Sequence, residues 1–374
     1  MEEISSIEIG GGKTARRGFD LSDVSLVPSR RTRDVDDVST AWQLDAYRFD
    51  IPCMAHPSDA VMSPDSAIAL GDRGGLGVLN AEGLWCRYAD PRSLLDELSE
   101  LDADTASARL QAIYTEPIKP ELIAERVKEM RAGGATVALR VSPQHTIALS
   151  PVILDAGVDM LVIQGTIVSA EHVSTQDEPL NLKEFIADLD LPVVVGGCTN
   201  YTTALHLMRT GAAGVIVGVG ADLWSTTDDV LGIAVPMASA IADAAAARRD
   251  YLDETGGRYV HLIADGEIES SGDIAKAIAC GADSVMLGSA LAACVEAPAS
   301  GAWWHSAASH PKLPRGMYRA AEEGFTPVPM EQLLHGPASE PYGAQNLFGG
   351  LRRSMAKCGY SNVKEFQKVE LLVS

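Results

Sequence analysis

The chain has 374 residues, 46% of them apolar and 22% charged, which is the composition of a folded globular protein with a large core and excludes a disordered one. Its 51 acidic residues against 30 Lys and Arg leave a formal charge of -21. That balance excludes a sequence-independent grip on nucleic acid, which needs Lys and Arg to neutralise phosphates.

The N-terminus "MEEISSIEIGGG" is acidic and polar, unlike a signal peptide, and no apolar run reaches the roughly 18 residues of a membrane span, so a cytoplasmic protein without membrane attachment is expected. The cysteines Cys53, Cys86, Cys198, Cys280, Cys294 and Cys358 form no CxxC pair and show no metal-ligand spacing with His. They read as reduced, mostly packed thiols, and no metal is expected.

Apolar runs of strand length then follow in chain order: "IPCMA" (51–55), "GLGVL" (75–79), "TVALRV" (136–141), "DMLVI" (159–163), "LPVVV" (191–195), "GVIVGV" (214–219), "YVHLIA" (259–264) and "SVMLG" (284–288). They are continuous rather than alternating, as parallel strands buried on both faces are. Between them lie helical patterns such as "YTTALHLMRTGA" (201–212) and "SGDIAKAIACGA" (271–282), each closed by a Gly suited to a helix C-cap. Eight strand-helix units predict a (β/α)8 TIM barrel occupying the whole of residues 1–374 as one domain, with a doubly wound open sheet as the alternative. Two segments exceed what a barrel needs. Residues 80–135 have the size of a two-helix connection, and residues 295–348, rich in Pro and Gly, read as a flap or loop excursion over the barrel top.

Barrel chemistry sits at the C-terminal ends of the strands, with phosphate often held after the seventh and eighth. Those ends read "LIADGEIESSGDIAKAIACGADSVMLGSALA", where Asp265 and Gly266 close one strand and Gly288 and Ser289 the other. A Gly beside a Ser at a helix start offers N–H groups and a hydroxyl to a phosphate, and a carboxylate such as Asp265 suits a ribose diol. The plainer alternative makes the glycines turns and Asp265 a helix cap. His56 and Asp59 end the first strand, and Cys198 ends the fifth on the same face.

The stretch from Asp265 to Ala292 resembles the phosphate-binding half of the inosine monophosphate (IMP) dehydrogenase and guanosine monophosphate (GMP) reductase family. "FDLSDVSLVPS" (19–29), "AIALGDRGGLGVL" (67–79) and "GGLRRSMAKCGYSNVKEFQKV" (349–369) are similar to three further blocks of that family, in the same order. The resemblance implies a barrel that binds a purine nucleotide monophosphate through Asp265, Gly266, Gly288, Ser289, Gly218 and Gly220, with NAD or NADP beside it near Gln164 and Gly165. It implies an IMP dehydrogenase-like oxidoreductase, a role in purine nucleotide metabolism, and a homotetramer. Residues 80–135 leave no room for the tandem regulatory module many members carry, so the chain is similar to the short members. In the family a loop cysteine attacks the purine; on that pattern "GVIVGVGADLWSTTDDVLG" (214–232) puts Ser225 at the nucleophile and Thr226 at the conserved threonine.

A serine without an adjacent base is a far weaker nucleophile than a thiol, and Asp222, Asp228 and Asp229 are weak bases. Glu267 replaces a glycine where phosphate would sit, and "PRGMYR" (314–319) is similar to the family's nucleotide-contacting "YRGM". Two further readings therefore stand beside the oxidoreductase: a catalytically inactive nucleotide-binding or regulatory paralogue, and a barrel enzyme whose hydride transfer needs no nucleophile.

Overall fold

The computed structural model describes residues 6–173, 179–219, 223–266 and 268–373. Eight parallel strands, β1 (Cys53–Ala55), β2 (Val78–Asn80), β3 (Ala138–Val141), β4 (Met160–Gln164), β5 (Val193–Cys198), β6 (Gly214–Val217), β7 (His261–Asp265) and β8 (Ser284–Leu287), pair in the order β1-β8-β7-β6-β5-β4-β3-β2. The ring closes ahead of β2, where Leu76 N donates to the Cys53 carbonyl (2.9 Å) and Ala55 N to the Leu76 carbonyl (2.8 Å). The fold is the (β/α)8 barrel expected from the eight apolar runs.

The runs are continuous because each strand has two buried faces. Met54, Val78, Ala138, Met160, Val162, Val194, Ile216, Ile263 and Met286 fill the barrel interior. Their neighbours Leu79, Leu139, Leu161, Ile163, Val195, Val215, Val217, Leu262 and Leu287 point outward under the helices, following the two-residue period of a strand. A hairpin of Trp42–Leu44 and Tyr47–Phe49 closes the bottom, burying Trp42, Leu44 and Phe49 against the interior cluster. At the lower rim Asp283 is buried and accepts hydrogen bonds from Arg248 Nη1 (2.5 Å), Tyr259 OH (2.6 Å), Leu262 N (2.8 Å) and Gln367 Nε2 (3.0 Å).

The helix Tyr201–Arg209 opens on Asn200, whose side chain accepts from Thr203 N, and the helix Ser271–Cys280 opens on a Ser270–Asp273 capping box and ends at Gly281, with φ 125°. Residues 80–135 hold three helices, Arg92–Ser99, Ala103–Ile113 and Pro120–Ala132, where their size suggested two. Residues 295–348 lie over the barrel mouth and are firmly attached to it. Trp303 and Arg319 exchange backbone hydrogen bonds (both 2.9 Å), Ser58 Oγ donates to the Trp304 carbonyl (2.6 Å), and Trp304 is wholly buried.

Candidate functional site

Two residues beyond the interior core layer, the same strand period brings a further ring of side chains to the barrel mouth. His56 follows Met54, Asn80 follows Val78, Arg140 follows Ala138, Gln164 follows Val162, Gly218 follows Ile216, Asp265 follows Ile263, and Gly288 follows Met286. They border two adjoining cavities. A narrow one of about 270 Å³ lies at the ends of β7 and β8 beneath Trp224 and Trp303. A wide one of about 700 Å³ spans the ends of β2 to β6. His56, Asp265 and His305 are walls of both. The His56 ring stands edge-on to His305 (centroids 5.5 Å apart) and to Trp303 (5.4 Å).

The structure sorts the residues singled out in the sequence between these cavities. Asp265, Gly266, Gly288 and Ser289 come together in the narrow one. Gln164, Gly165, Gly218 and Ser225 line the wide one. Gln164 Nε2 donates to the Asp265 carboxylate (3.0 Å), tying the two cavities together. Gly218 has φ 147°, and a Cβ there would fall 1.8 Å from the Asp265 carbonyl oxygen, so only glycine lets β6 pass β7 this closely. Gly220, Asp222 and Glu267 lie outside the described residues.

Ser225 Oγ donates to Thr227 Oγ1 (3.1 Å) and accepts from Thr227 N (3.2 Å), which is a turn-stabilising pattern. Among the described residues no imidazole or amine bonds it. Thr226 is not a cavity wall; its hydroxyl accepts from Gly316 N (2.7 Å) and, with the Met317 N bond to the Trp224 carbonyl (2.7 Å), clasps this loop to the overlying segment. Asp228 and Asp229 are exposed in the short helix Thr227–Leu231.

Three expectations are corrected. Cys198 does not share the site's face: the β5 register shifts after Gly196, so Cys198 packs in the outer cluster at 2% exposure, and burial pushes its thiol up to about 12. Asp59, placed beside His56 at the end of the first strand, lines neither cavity. It is buried against Gly83, accepts from Tyr114 OH (2.6 Å), and Tyr114 OH in turn accepts from Trp304 Nε1 (3.3 Å), bracing the 80–135 and 295–348 segments to the end of β1. Burial lifts its carboxyl to about 6 against those hydrogen bonds. In "PRGMYR", Arg315 reaches the wide cavity and donates to Thr166 Oγ1 (2.9 Å), but Tyr318 is buried, stacked on Trp304 at 6.0 Å with its hydroxyl on the Leu98 carbonyl.

The wide cavity also contains residues not singled out from sequence. Arg140 donates to Asn80 Oδ1 (3.3 Å) and the Gln164 carbonyl (2.7 Å) and lies 3.7 Å from Glu82. Burial of Glu82 is outweighed by the hydrogen bond from His145 Nδ1 (2.7 Å) and by Arg140, which hold its carboxyl down to about 2. The Nε groups of Arg140 and Arg315 are buried without a hydrogen-bond partner. The signal for Arg140 was present: it is a charge inside the apolar run "TVALRV", where only an inward position at the mouth gives it polar company.

Comparison with known proteins agrees with this architecture. Residues 18–325 match the family model described as the IMP dehydrogenase / GMP reductase domain. The chain is 59% identical over 373 residues to proteins named uncharacterized oxidoreductase from Mycolicibacterium smegmatis and Mycobacterium tuberculosis, covering 98% of this chain and 99% of each of those. It is 31% identical over 261 residues to the inosine-5'-monophosphate dehydrogenase of Methanocaldococcus jannaschii, covering 64% of this chain and 50% of that one. The crystal structure of an IMP dehydrogenase/GMP reductase-like protein from Corynebacterium glutamicum superposes with a TM-score of 0.93 at 53% identity, over 99% of this chain and 98% of that one. The barrel, the ring of polar residues at its mouth and the extent of these matches agree: the chain belongs to the IMP dehydrogenase/GMP reductase family.

Proposed function

We propose that the protein is an oxidoreductase that passes a hydride between a purine ribosyl compound, a nucleotide or its nucleoside, and NAD or NADP, without forming a covalent adduct to the protein. One observation carries this reading. Two cavities of different size share the walls His56, Asp265 and His305, so a substrate in the narrow one and a cofactor in the wide one would meet across those three side chains. The oxidoreductase names of the 59% identical relatives support the class.

The wide cavity fits the cofactor by the chemistry of its walls. The unpartnered Nε groups of Arg140 and Arg315 are buried donors awaiting a polar acceptor, and Arg87 adds a third guanidinium. Gln164, Gly165 and Thr166 present amide, backbone and hydroxyl groups to the same space. When bound, the nicotinamide supplies a hydride acceptor or donor. The chain's own part is positional: Asp265, steadied by Gln164, would accept ribose hydroxyls, and His56 or His305 would take the proton from a water that adds to the purine C2 as hydride leaves it, or in the opposite direction give a proton to the amine that leaves C2 as hydride arrives. Ser225, engaged with Thr227, shapes the loop and does not attack.

The hydroxyl in place of a thiol also favours a second reading, a relative that binds the same ligands without turnover. Monitoring reduced-cofactor absorbance with IMP, GMP and their nucleosides separates the two, alongside thermal-shift measurements with each ligand. Turnover is expected and should survive Ser225→Ala within about threefold, since a hydroxyl with no base contributes little to nucleophilic catalysis. A loss of a hundredfold or more would restore Ser225 as the nucleophile, and ligand-raised melting without turnover would establish the binding paralogue. The same reading takes the chain to be a single-domain cytoplasmic homo-oligomer, a homotetramer by family likeness, which light scattering of the purified protein checks.

A further inference from the structure

A further cavity, of about 950 Å³, opens at the other end of the barrel, where Val193, Ala213, His261 and Asp283 stand at the starts of β5 to β8. It is bordered on one side by the bottom hairpin, through Trp42, Gln43 and Asp45, and elsewhere by the helix Leu182–Ala187 and by Arg258, Val363 and Lys364. Along β7 the order is His261 in this cavity, Ile263 in the interior layer and Asp265 at the mouth, so packed interior separates the two ends.

Two kinds of wall meet in it. Ile186, Leu191, Val193 and Val363 supply apolar surface, and the His261 ring stands edge-on to Tyr259 (centroids 5.0 Å apart) and to Trp42 (6.1 Å). His261 Nδ1 is buried with no hydrogen-bond partner, and burial pushes the pKa of this ring down, which leaves a neutral imidazole at neutral pH. The other wall is cationic. Lys183, Arg209, Arg258 and Lys364 border the same space against Asp45, Asp190 and Asp283. Asp283 is already held by Arg248 and Arg209 by Glu254 (2.7 Å). Lys183, Arg258 and Lys364 are exposed and enter no ion pair among the described residues. Arg258 Nη2 donates only to the Gly211 carbonyl (2.7 Å), and Lys364 Nζ lies 4.7 Å from the centre of the Tyr259 ring. In a chain with a formal charge of -21, three unpaired cations around one cavity leave a local positive field that the composition does not predict.

We propose that this cavity is a second ligand site, which takes a nucleotide with its base against Tyr259 and His261 and its phosphates among Lys183, Arg258 and Lys364. The volume is that of a small-molecule site and far exceeds what inorganic phosphate fills. Trp42 is itself buried, so Tyr259 and His261 are the rings that meet the base. A heterocyclic N–H or ring nitrogen would give His261 Nδ1 its missing partner, since a neutral imidazole nitrogen donates or accepts according to tautomer. Phosphate oxygens would accept charge-assisted hydrogen bonds from the three cations. An uncharged aromatic ligand would leave those cations without an acceptor, and a small inorganic anion would leave the aromatic wall uncovered.

Photolabelling of the full-length protein with azido-ADP, followed by proteolysis and mass spectrometry, tests both the place and the chemistry. Label is expected on the peptides that contain Trp42 or Tyr259 and His261, and unmodified ADP should displace it. Adenosine should compete about tenfold or more weakly than ADP, because it lacks the groups that meet the cations. Raising the ionic strength should weaken the labelling, since these cations are exposed. The double variant Arg258→Gln, Lys364→Gln should lower ADP affinity at this cavity about tenfold or more. Label confined to peptides of the barrel mouth, or no label at all, overturns the proposal. Competition by adenosine as strong as by ADP, with no effect of salt, overturns it as well, and those two measurements decide even if the double variant folds poorly.

Discussion

Asp59 gives the most direct test of how the end of β1 is held. In the fold its carboxyl is 2% exposed and lifted to about 6 by burial, while in the unfolded chain it titrates near the ordinary aspartate value of 3.8. Between those two values the unfolded chain releases a proton that the folded protein keeps, so folding stability falls as pH rises through that window. The contribution of Asp59 is fully present below about pH 4 and lost above about pH 6. A rise of that size corresponds to on the order of 3 kcal/mol at 1.36 kcal/mol per tenfold. For a chain of 374 residues, unfolding entropy scaled per residue turns that into about 4 °C in melting temperature. Asp59→Asn keeps an acceptor for Tyr114 and does not titrate. Melting of variant and parent should therefore be compared across pH 4 to 8 by scanning calorimetry. The difference in Tm should move by about 4 °C in favour of the variant as pH rises through the window. A difference that stays flat with pH would refute the claim that a buried, titrating carboxyl braces these segments.

Two further expectations concern packing. Gly218→Ala should destabilise the protein by about 3–5 kcal/mol, combining a positive φ with a Cβ driven onto the Asp265 backbone, and should weaken ligand binding with it; urea melts and ligand titrations check both. Asp283→Ala should cost about 3–5 kcal/mol in the same melts, because it leaves Arg248 buried at 6% exposure without its carboxylate, and ligand affinity should be retained because Asp283 lies at the opposite end of the barrel.

The eight strands were legible because burial on both faces writes an unbroken apolar run for each one. The ends of β7 and β8 were legible because their Asp–Gly and Gly–Ser pairs interrupt such runs abruptly. Other features have no local signature. The bottom hairpin consists of two three-residue strands around "QLDAYRF", too short to show a period. The direction of Cys198 is set by a register shift after Gly196, which depends on the pairing of β5 with β6. "EIESSGD" reads as an ordinary helix start, and only the folded chain shows Glu269 collecting the Trp224 and Ser289 donors, which come from loops 45 and 20 residues away. The contact of Trp303 with Gly288 likewise joins residues that no short window contains.

The alternation along the barrel strands has a consequence for how such a protein can change over time. The side chains that line the two cavities and those that fill the interior are separated by a single strand period, about 7 Å of rise. Met54, Val78, Ile216, Ile263 and Met286 form the floor on which His56, Asn80, Gly218, Asp265 and Gly288 stand. Apart from Gly218, where added bulk strikes the β7 backbone, substitutions in the upper ring change the groups that line the cavities while leaving the floor's packing untouched, and substitutions in the floor alter stability first. Selection can therefore act on chemistry and on foldedness almost independently. A lineage can alter the groups at the mouth of the barrel while the architecture beneath continues unchanged.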